Sequence, residues 1–335
     1  MSIFQTKAWQ RSWWQHWGST KGFNFLKEGC FQATGLYVDR YFWHGVLPIR
    51  CLQFVGTNYR RISTPRSEYH SLISPECDSA GSINELLEFS WSEAVFRDMF
   101  ANSRDVSALE LLADREGWLF RIVAEDTTFW VDTTGDWEGY LLSLGSNTRL
   151  RLFNRRKVLE QLGDIDLANA WPKKASVFFQ LLNEFHVRRW GRPCFNERSV
   201  AFHQDFLSAV TSEGGEPQLS ILSCAGKPIS VLYNIAFKGC VYNIQAGFEQ
   251  NFHKKLSVGT LHLGYCIEDA FQRSDIHKFD FLAGGGKNEN YKERLATGSQ
   301  SLVSVMLVRS KLFQFLYRLK SYRNAIAVSD EELYK

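Results

Sequence analysis

The sequence predicts an α+β protein of two domains, each with a mixed, mostly antiparallel sheet flanked by helices. Its 335 residues are enough for two domains of ordinary size, each with its own core. Short stretches rich in aromatic and β-branched residues indicate strands in both halves. In the second half, two helices precede an antiparallel meander, and strands then alternate with helices. That order is typical of α+β domains.

The first half begins with a tryptophan-rich helix. Trp9, Trp13 and Trp17 recur at helical spacing, which favours a helix face packed on a core over the alternative, an interfacial anchor. Residues 31–55 predict a hairpin that turns near residues 43–45. Further strands are expected near 106–112, 117–124 and 127–132.

A dense basic segment ends this half. Within residues 140–163, Leu152, Leu159 and Leu162 keep helical phase among interleaved cations. Such a run is either a solvated helix face or a site for a polyanion. After Gly163 a short strand-like stretch begins, so the predicted domains are residues 1–163 and 164–335. The interleaved cations are Arg149, Arg151, Arg155, Arg156 and Lys157.

The second half has a clear order of predicted elements. Its helices are expected at 173–190, 197–213, 258–273, 288–295 and 310–322. Its strands are expected at 217–224, 227–237, 240–247, 276–282 and 301–309.

Composition narrows the class of protein. There are 39 basic and 36 acidic residues, which gives a net charge of +3. The overall charge therefore does not indicate nucleic acid or membrane as the main partner. The seven cysteines are scattered without a C-x-x-C pair, which predicts neither a disulfide framework nor a metal site. With no signal-peptide pattern and no apolar run of membrane-spanning length, the expected location is the cytoplasm.

The glycine-rich stretch KFDFLAGGGKNENYKERLATG at 278–298 is not a nucleotide-binding loop. A phosphate loop needs a glycine five places before its Gly-Lys pair and Ser or Thr after it, and Phe281 and Asn288 hold those positions. The dinucleotide pattern fails as well, because Glu289 replaces its third glycine. The stretch therefore predicts a strand ending in polar Asp280, a glycine hinge, and a short helix with Tyr291 and Lys292.

Several strings together resemble the GNAT acyltransferases. The nearest branch is the CelD-type, FemAB-like one, associated with bacterial envelope and exopolysaccharide biosynthesis. The strings are WQRSWWQHWG near the start, SLGSNTRLRLFNRRKVLEQLG at the junction, FHVRRWGR at 185–192, VAFHQDFLSAV at 200–210 and FDFLAGGGKNENYKERLATG. The sequence departs from the branch in its longer link at 283–290. The usual Q/R-x-x-G-x-G/A cofactor loop is also replaced, by residues 254–260.

The resemblance implies tandem GNAT-like domains, the first degenerate and the second active. It implies acyl transfer from acyl-CoA, or from an acyl carrier protein thioester, to an amine or hydroxyl. The acceptor would be a small molecule or a glycan, lipid or amino-acid precursor. Two alternatives stay open: a Fem-type transferase that uses aminoacyl-tRNA, and an inactive GNAT-fold scaffold.

The expected donor site is a helix start, where free N–H groups favour a pyrophosphate. The alternative is an ordinary helix capped by Ser257. The predicted donor-site residues are Lys254, Lys255, Ser257, Gly259 and Thr260.

The resemblance also implies catalytic and pocket residues. Asp280 is the candidate base, or else a carboxylate satisfied by neighbouring N–H groups. Lys292 would hold a negative group or the oxyanion, or else be a solvated charge, and Tyr291 would donate to the leaving thiolate. The predicted acceptor-site residues, each with a structural alternative, are Tyr242, Gln245, His203, Arg189 and Trp190.

Overall fold

The computed structural model describes residues 1–29, 33–43, 45–73, 83–284 and 289–320, with residues 289 and 290 by backbone alone. The chain divides into two compact units. The first unit comprises Met1–Ser12 and Asp126–Ser301, and the second comprises Trp13–Glu125 and the chain from Leu302 onward. The predicted domains, 1–163 and 164–335, follow sequence order instead and stay a prediction.

The described residues form eleven strands and ten helices, numbered here in chain order. The strands are β1 (Phe23–Lys27), β2 (Leu36–Trp43), β3 (Leu47–Phe54), β4 (Glu93–Phe100), β5 (Leu119–Asp132), β6 (Ile165–Asn169), β7 (Glu216–Cys224), β8 (Lys227–Phe237), β9 (Cys240–Phe248), β10 (Lys278–Ala283) and β11 (Gly298–Val308). The helices are α1 (Lys7–Trp17), α2 (Arg104–Glu116), α3 (Trp137–Ser143), α4 (Ser146–Arg149), α5 (Arg156–Glu160), α6 (Ala175–Trp190), α7 (Glu197–Val210), α8 (Val258–Gln272), α9 (Glu289–Leu295) and α10 (residues 311–320).

The second unit has a mixed sheet in the order β1-β2-β3-β4-β11. Its pairs are antiparallel except for β3 with β4, which are parallel. The predicted hairpin is confirmed, because β2 and β3 pair from Leu36 and Phe54 to Trp43 and Leu47. One core of this unit packs α2 against β4 and β11.

The predicted strand at 106–112 is wrong, because this stretch lies in α2. The Ser103 side chain accepts a hydrogen bond from Val106 N and caps the helix start, and Gly117 ends it in the left-handed conformation. Leu109, Leu112 and Ala113 are buried at helical spacing. The strands predicted at 117–124 and 127–132 are one strand, β5.

The first unit has a mixed sheet in the order β5-β10-β9-β8-β7-β6. The pair β10 and β9 is parallel, and the other pairs are antiparallel. The helices and strands predicted from residue 173 to residue 309 are present within a few residues. The basic segment is helical as predicted but broken, since a π-helical turn, Leu150–Asn154, separates α4 from α5.

Two layers of helix cover the two faces of this sheet. Phe279, Phe281 and Val131 face α3, α8 and the π-helical turn in one core cluster. On the other face, Tyr233 packs against Phe179 of α6 and His203 of α7. The α+β class with mixed sheets flanked by helices is confirmed. In the described ranges, every helix is too short or too polar to span a bilayer.

Candidate functional site

A cleft of about 120 Å³ lies beside the first turn of α8. Three chain segments that are far apart in sequence line it: α4 with the turn after it, the first turn of α8, and α9. Their side chains supply two guanidinium groups, two hydroxyls, an amide and a phenol. The lining residues are Asn147, Thr148, Arg151, Thr260, Tyr291, Arg294 and Leu295.

The start of α8 has backbone donors that its N-cap side chain leaves open. Ser257 occupies the N-cap position, and its carbonyl accepts a hydrogen bond from Leu261 N at 2.9 Å. The Ser257 hydroxyl makes no capping hydrogen bond. Because the first N–H groups of a helix have no partner within the helix, they can bind an anion here. The alternative of a serine side-chain cap is therefore not supported.

Gly259 allows an aromatic ring to lie on this helix start. A Cβ atom at Gly259 would stand 2.5 Å from the ring of Phe248. Arg189 lies over the same Phe248 ring, 4.9 Å from its centroid, and 4.7 Å from that of Trp190. Arg189 and Trp190 are both exposed. Phe248 thus lies between Arg189 and the first turn of α8. Lys254 and Lys255 are exposed on the turn just before this helix.

We expect Gly259→Ala to lower the free energy of unfolding by about 1–3 kcal/mol, because the new methyl group overlaps the Phe248 ring. Chemical denaturation measures the change. Gly135→Ala is the matched control, since a Cβ there meets nothing within 4 Å. Adding Phe248→Leu should recover part of the lost stability. A double variant no more stable than Gly259→Ala alone would contradict the contact.

Tyr291 offers a proton at the cleft. Its side chain is 36% exposed, and partial burial raises its pKa to about 12, with Arg189 opposing the shift. A phenol with that pKa keeps its proton at neutral pH and can donate it. Tyr291 and Thr260 are thus the two predicted site residues that the structure brings together in the cleft.

Lys292 faces inward, with 7% of its surface exposed. Its Nζ donates to the carbonyl oxygens of Leu282 at 2.9 Å and Ala283 at 3.0 Å. Leu282 has a positive φ of 59°, which is rare for a leucine. Lys292 therefore holds the end of β10 in an irregular conformation, and the alternative of a solvated charge is wrong. A contact with substrate stays a prediction.

Asp280 does not face the cleft. Side chains alternate along a strand, so Asp280 points away from the face on which Phe279 and Phe281 meet α8. It is fully buried.

Both carboxylate oxygens of Asp280 have protein partners. Oδ1 accepts from Leu282 N at 2.8 Å and Thr128 Oγ1 at 3.3 Å, and Oδ2 lies 2.9 Å from Lys278 Nζ. These contacts support the alternative of a carboxylate satisfied by its neighbours. Its role as a base stays a prediction.

The strands β9 and β10 pair over a short length. Their parallel register runs from Cys240 opposite Lys278 to Tyr242 opposite Asp280, and β9 then continues to Phe248. Tyr242 is buried against Phe4, with ring centroids 6.3 Å apart. Gln245 is half-buried beyond this point, and its side-chain oxygen accepts from Ala246 N.

His203 is buried within an aromatic cluster on the face opposite α8. Its Nδ1 lies 3.1 Å from the Tyr233 hydroxyl, and burial lowers its pKa to about 3. These contacts favour a structural histidine. The predicted glycine hinge, Gly284 to Lys287, lies outside the described residues except for Gly284. In the described part of the chain, no group of three or more side chains could hold a metal ion.

Comparison with known families agrees with this geometry. Residues 146–293 match the model of the acetyltransferase (GNAT) domain family. The chain contains a GNAT domain. The GNAT match begins in α4 and ends within α9, so it includes five of the seven lining residues and stops just before Arg294 and Leu295. No curated protein matches the chain.

Solved structures show the same fold across the chain. FemX is 10% identical with a TM-score of 0.57, and the match covers 94% of each chain. A conserved protein of unknown function from Bacteroides thetaiotaomicron is 10% identical with a TM-score of 0.51, over 91% of this chain and 90% of that one.

A third similar structure is a C-terminal domain from Agrobacterium fabrum, assigned to a lysylphosphatidylglycerol synthetase. It is 12% identical with a TM-score of 0.50, over 90% of this chain and 88% of that one. At these identities the likeness concerns the fold. The GNAT domain is therefore set within a chain that shares the FemX fold over nearly its whole length.

Sequence reasoning missed four residues of the GNAT-domain cleft: Asn147, Thr148, Arg294 and Leu295. Arg151 was singled out, but as part of a basic segment and not of a pocket. Arg294 and Leu295 stand three and four residues after Tyr291, and this helical spacing could have located them. Asn147 and Thr148 lie in α4, where the π-helical turn at Leu150–Asn154 breaks the helical phase of the basic segment. That break is a tertiary feature, and the leucine spacing of the segment conceals it.

Proposed function

We propose that the chain is an acyltransferase that moves an acyl group from acyl-CoA to an amine, or to a hydroxyl, of an envelope, polysaccharide, lipid or amino-acid precursor. The observation that carries this proposal is the cleft, which joins the open helix start of α8 to α9 at the end of β10. The third similar structure, assigned to a lysylphosphatidylglycerol synthetase, makes a lipid the first of these acceptors to test.

The donor is proposed to lie along the start of α8. Its pyrophosphate would accept hydrogen bonds from the first-turn N–H groups and from Thr260, with Arg151 and Arg294 as counter-charges. Lys254 and Lys255 would meet the outer phosphate. The pantetheine arm would then run past Phe248 toward the point where β9 and β10 stop pairing. Ser257 supports this placement, because its hydroxyl leaves the helix start open.

Transfer is proposed to occur by direct attack in a ternary complex. A neutral acceptor amine forms the new C–N bond at the thioester carbonyl as the C–S bond breaks. The Tyr291 phenol would deliver its proton to the leaving thiolate, and the amine proton would restore it. The pKa of Tyr291, about 12, supports this role because the phenol enters the reaction protonated.

A ligand that binds the native state alone should raise the melting temperature. We expect CoA and acetyl-CoA to stabilise the protein by about 2.7 kcal/mol at a concentration near 100 times Kd. A thermal-shift series with CoA, acetyl-CoA and a long-chain acyl-CoA measures this and ranks acyl length. If no CoA derivative shifts the melting temperature, the donor assignment is wrong, and the scaffold or tRNA alternatives gain.

The two arginines of the cleft give a sharper test. A charge-assisted contact contributes about 1.5 kcal/mol or more, so Arg151→Gln and Arg294→Gln should each weaken CoA affinity about tenfold. Lys157→Gln is the matched control, an exposed cation of the same basic segment outside the cleft lining. Equal affinity of the two cleft variants and the control would place the donor elsewhere.

A second candidate, transfer from aminoacyl-tRNA, is favoured by the position of the basic segment at the cleft. Arg156 is already paired with Glu268 and lies over the rings of Phe153 and Tyr265. Arg151 and Arg155 are therefore the cations to test. Salt-dependent tRNA binding that is lost on Arg151→Glu with Arg155→Glu would support this candidate over acyl-CoA.

A further inference from the structure

The helix α10 in the second unit has apolar side chains on two faces. On the inner face, Phe313 and Tyr317 are buried in a core cluster, and Gln314 donates to the carbonyl oxygens of Gly117 and Val308. On the outer face, Leu312, Phe315 and Leu319 are 53%, 62% and 41% exposed. The inner face anchors the helix, so the outer face is held in place toward solvent.

The exposed residues form a stripe and are not scattered. With 3.6 residues per turn, Leu312, Phe315 and Leu319 fall within about 60° of the helix circumference. Elsewhere in the described chain, exposed leucines such as Leu111 and Leu142 belong to separate elements. Single exposed apolar residues are ordinary, but an ordered stripe on one helix indicates an interaction surface.

Cations border this stripe on both sides. At the same angular spacing, Lys311 and Arg318 lie on one side of it and Lys320 on the other. All three are exposed, and Lys311 Nζ donates to the Gly117 carbonyl oxygen at 2.9 Å. Residues 311–320 contain no Asp or Glu. Apolar side chains between cations are the pattern of a helix that lies in an anionic membrane interface.

We propose that the outer face of α10 binds the surface of a membrane rich in anionic phospholipid. The stripe would insert its three apolar side chains between the acyl chains and headgroups, and the flanking cations would meet lipid phosphates. Charge favours this occupant over a second copy of the chain, because two copies of the same face would bring like charges together. The inference concerns the second unit and does not depend on the reaction of the GNAT domain.

Vesicle flotation of the full chain tests the proposal. We expect binding to phosphatidylcholine vesicles that contain phosphatidylglycerol and much weaker binding to phosphatidylcholine alone. The attraction should fade near 1 M salt, where the Debye length is about 3 Å. Arg318→Gln with Lys320→Gln should weaken binding about fivefold for each charge removed. The combined substitution L312Q, F315Q and L319Q should abolish it.

The matched control is Leu111→Gln with Leu142→Gln and Leu167→Gln, three exposed leucines on other elements. All variants replace exposed residues, and circular dichroism checks that each remains folded. Undiminished flotation of the stripe variant would overturn the proposal. Failure of the wild-type chain to float with anionic vesicles would also overturn it. So would a wild-type dimer that the stripe substitutions convert to a monomer without any vesicle binding, since the face would then join two copies.

Discussion

Lys292→Met should lower the free energy of unfolding by about 3 kcal/mol. The ammonium group serves two buried carbonyl oxygens at 2.9 and 3.0 Å. Methionine has a similar length but no donor, so both carbonyls would lose a charge-assisted partner at a point where water has little access. Gly284 shows how close this packing is, because a Cβ there would stand 2.9 Å from Nζ. Chemical denaturation without ligand measures the effect.

Lys157→Met is the control, because that lysine is exposed on α5. The two roles for Lys292 give different results in the free protein. An anchor for the end of β10 is needed before any ligand binds, so stability falls in its absence. A lysine that acts through the substrate alone would leave the free protein as stable as wild type, and that outcome would restore the predicted catalytic role.

Most elements could be predicted because their local signals agree with their tertiary setting. The hairpin of β2 and β3 and the meander from β7 to β9 are rich in aromatic and β-branched residues and turn at glycine. The strand predicted at 106–112 was wrong because its apolar residues suit a strand as well as a helix by composition. These residues are Val106, Leu109, Leu111 and Leu112. The caps of α2, Ser103 and Gly117, decide the matter. Helix capping therefore carried more information here than side-chain type.

The sequence predicted two of the segments that line the candidate site, but not the direction in which Asp280 points. The helix start at residue 257 and the Tyr291 segment both reach the cleft. Asp280 was placed there too, because it ends a strand beside a glycine-rich stretch. Strand alternation decides otherwise: Phe279 and Phe281 face the core beneath α8, so Asp280 must point the other way. A sequence gives the alternation but not which face each helix layer covers.

The same limit applies to the break in the basic segment. Leu152 and Leu159 are both fully buried, as their spacing predicts. The π-helical turn between them adds one residue per turn and rotates α4 relative to α5. Arg151 lies within this turn and lines the cleft, whereas Arg156 in α5 pairs with Glu268. Two arginines of the same basic segment thus have different contacts, and the number of charges in the segment does not show this.

Asp280→Ala should lower the free energy of unfolding by about 3–5 kcal/mol. The substitution leaves the buried Leu282 N–H and the Thr128 hydroxyl without their acceptor. It also removes the carboxylate partner of Lys278. The Nζ atom of Lys278 still contacts the Trp130 ring, 4.3 Å from the ring centroid. Asp280→Asn retains an acceptor oxygen for Leu282 N, so we expect it to recover more than half of the loss. Chemical denaturation of the two variants measures the difference.

Turnover of Asp280→Asn separates the two roles of this carboxylate. Removal of a general base costs about 10²–10⁴ in rate, whereas a residue that positions the end of β10 should affect acyl-CoA affinity at least as much as turnover. From the contacts of Asp280 we expect the second result, with turnover reduced less than about tenfold. The assay is CoA release with any amine that supports turnover, alongside a thermal shift with CoA. A large loss of turnover at unchanged CoA affinity would establish Asp280 as the base, and would require the buried face around Tyr242 to open toward the acceptor.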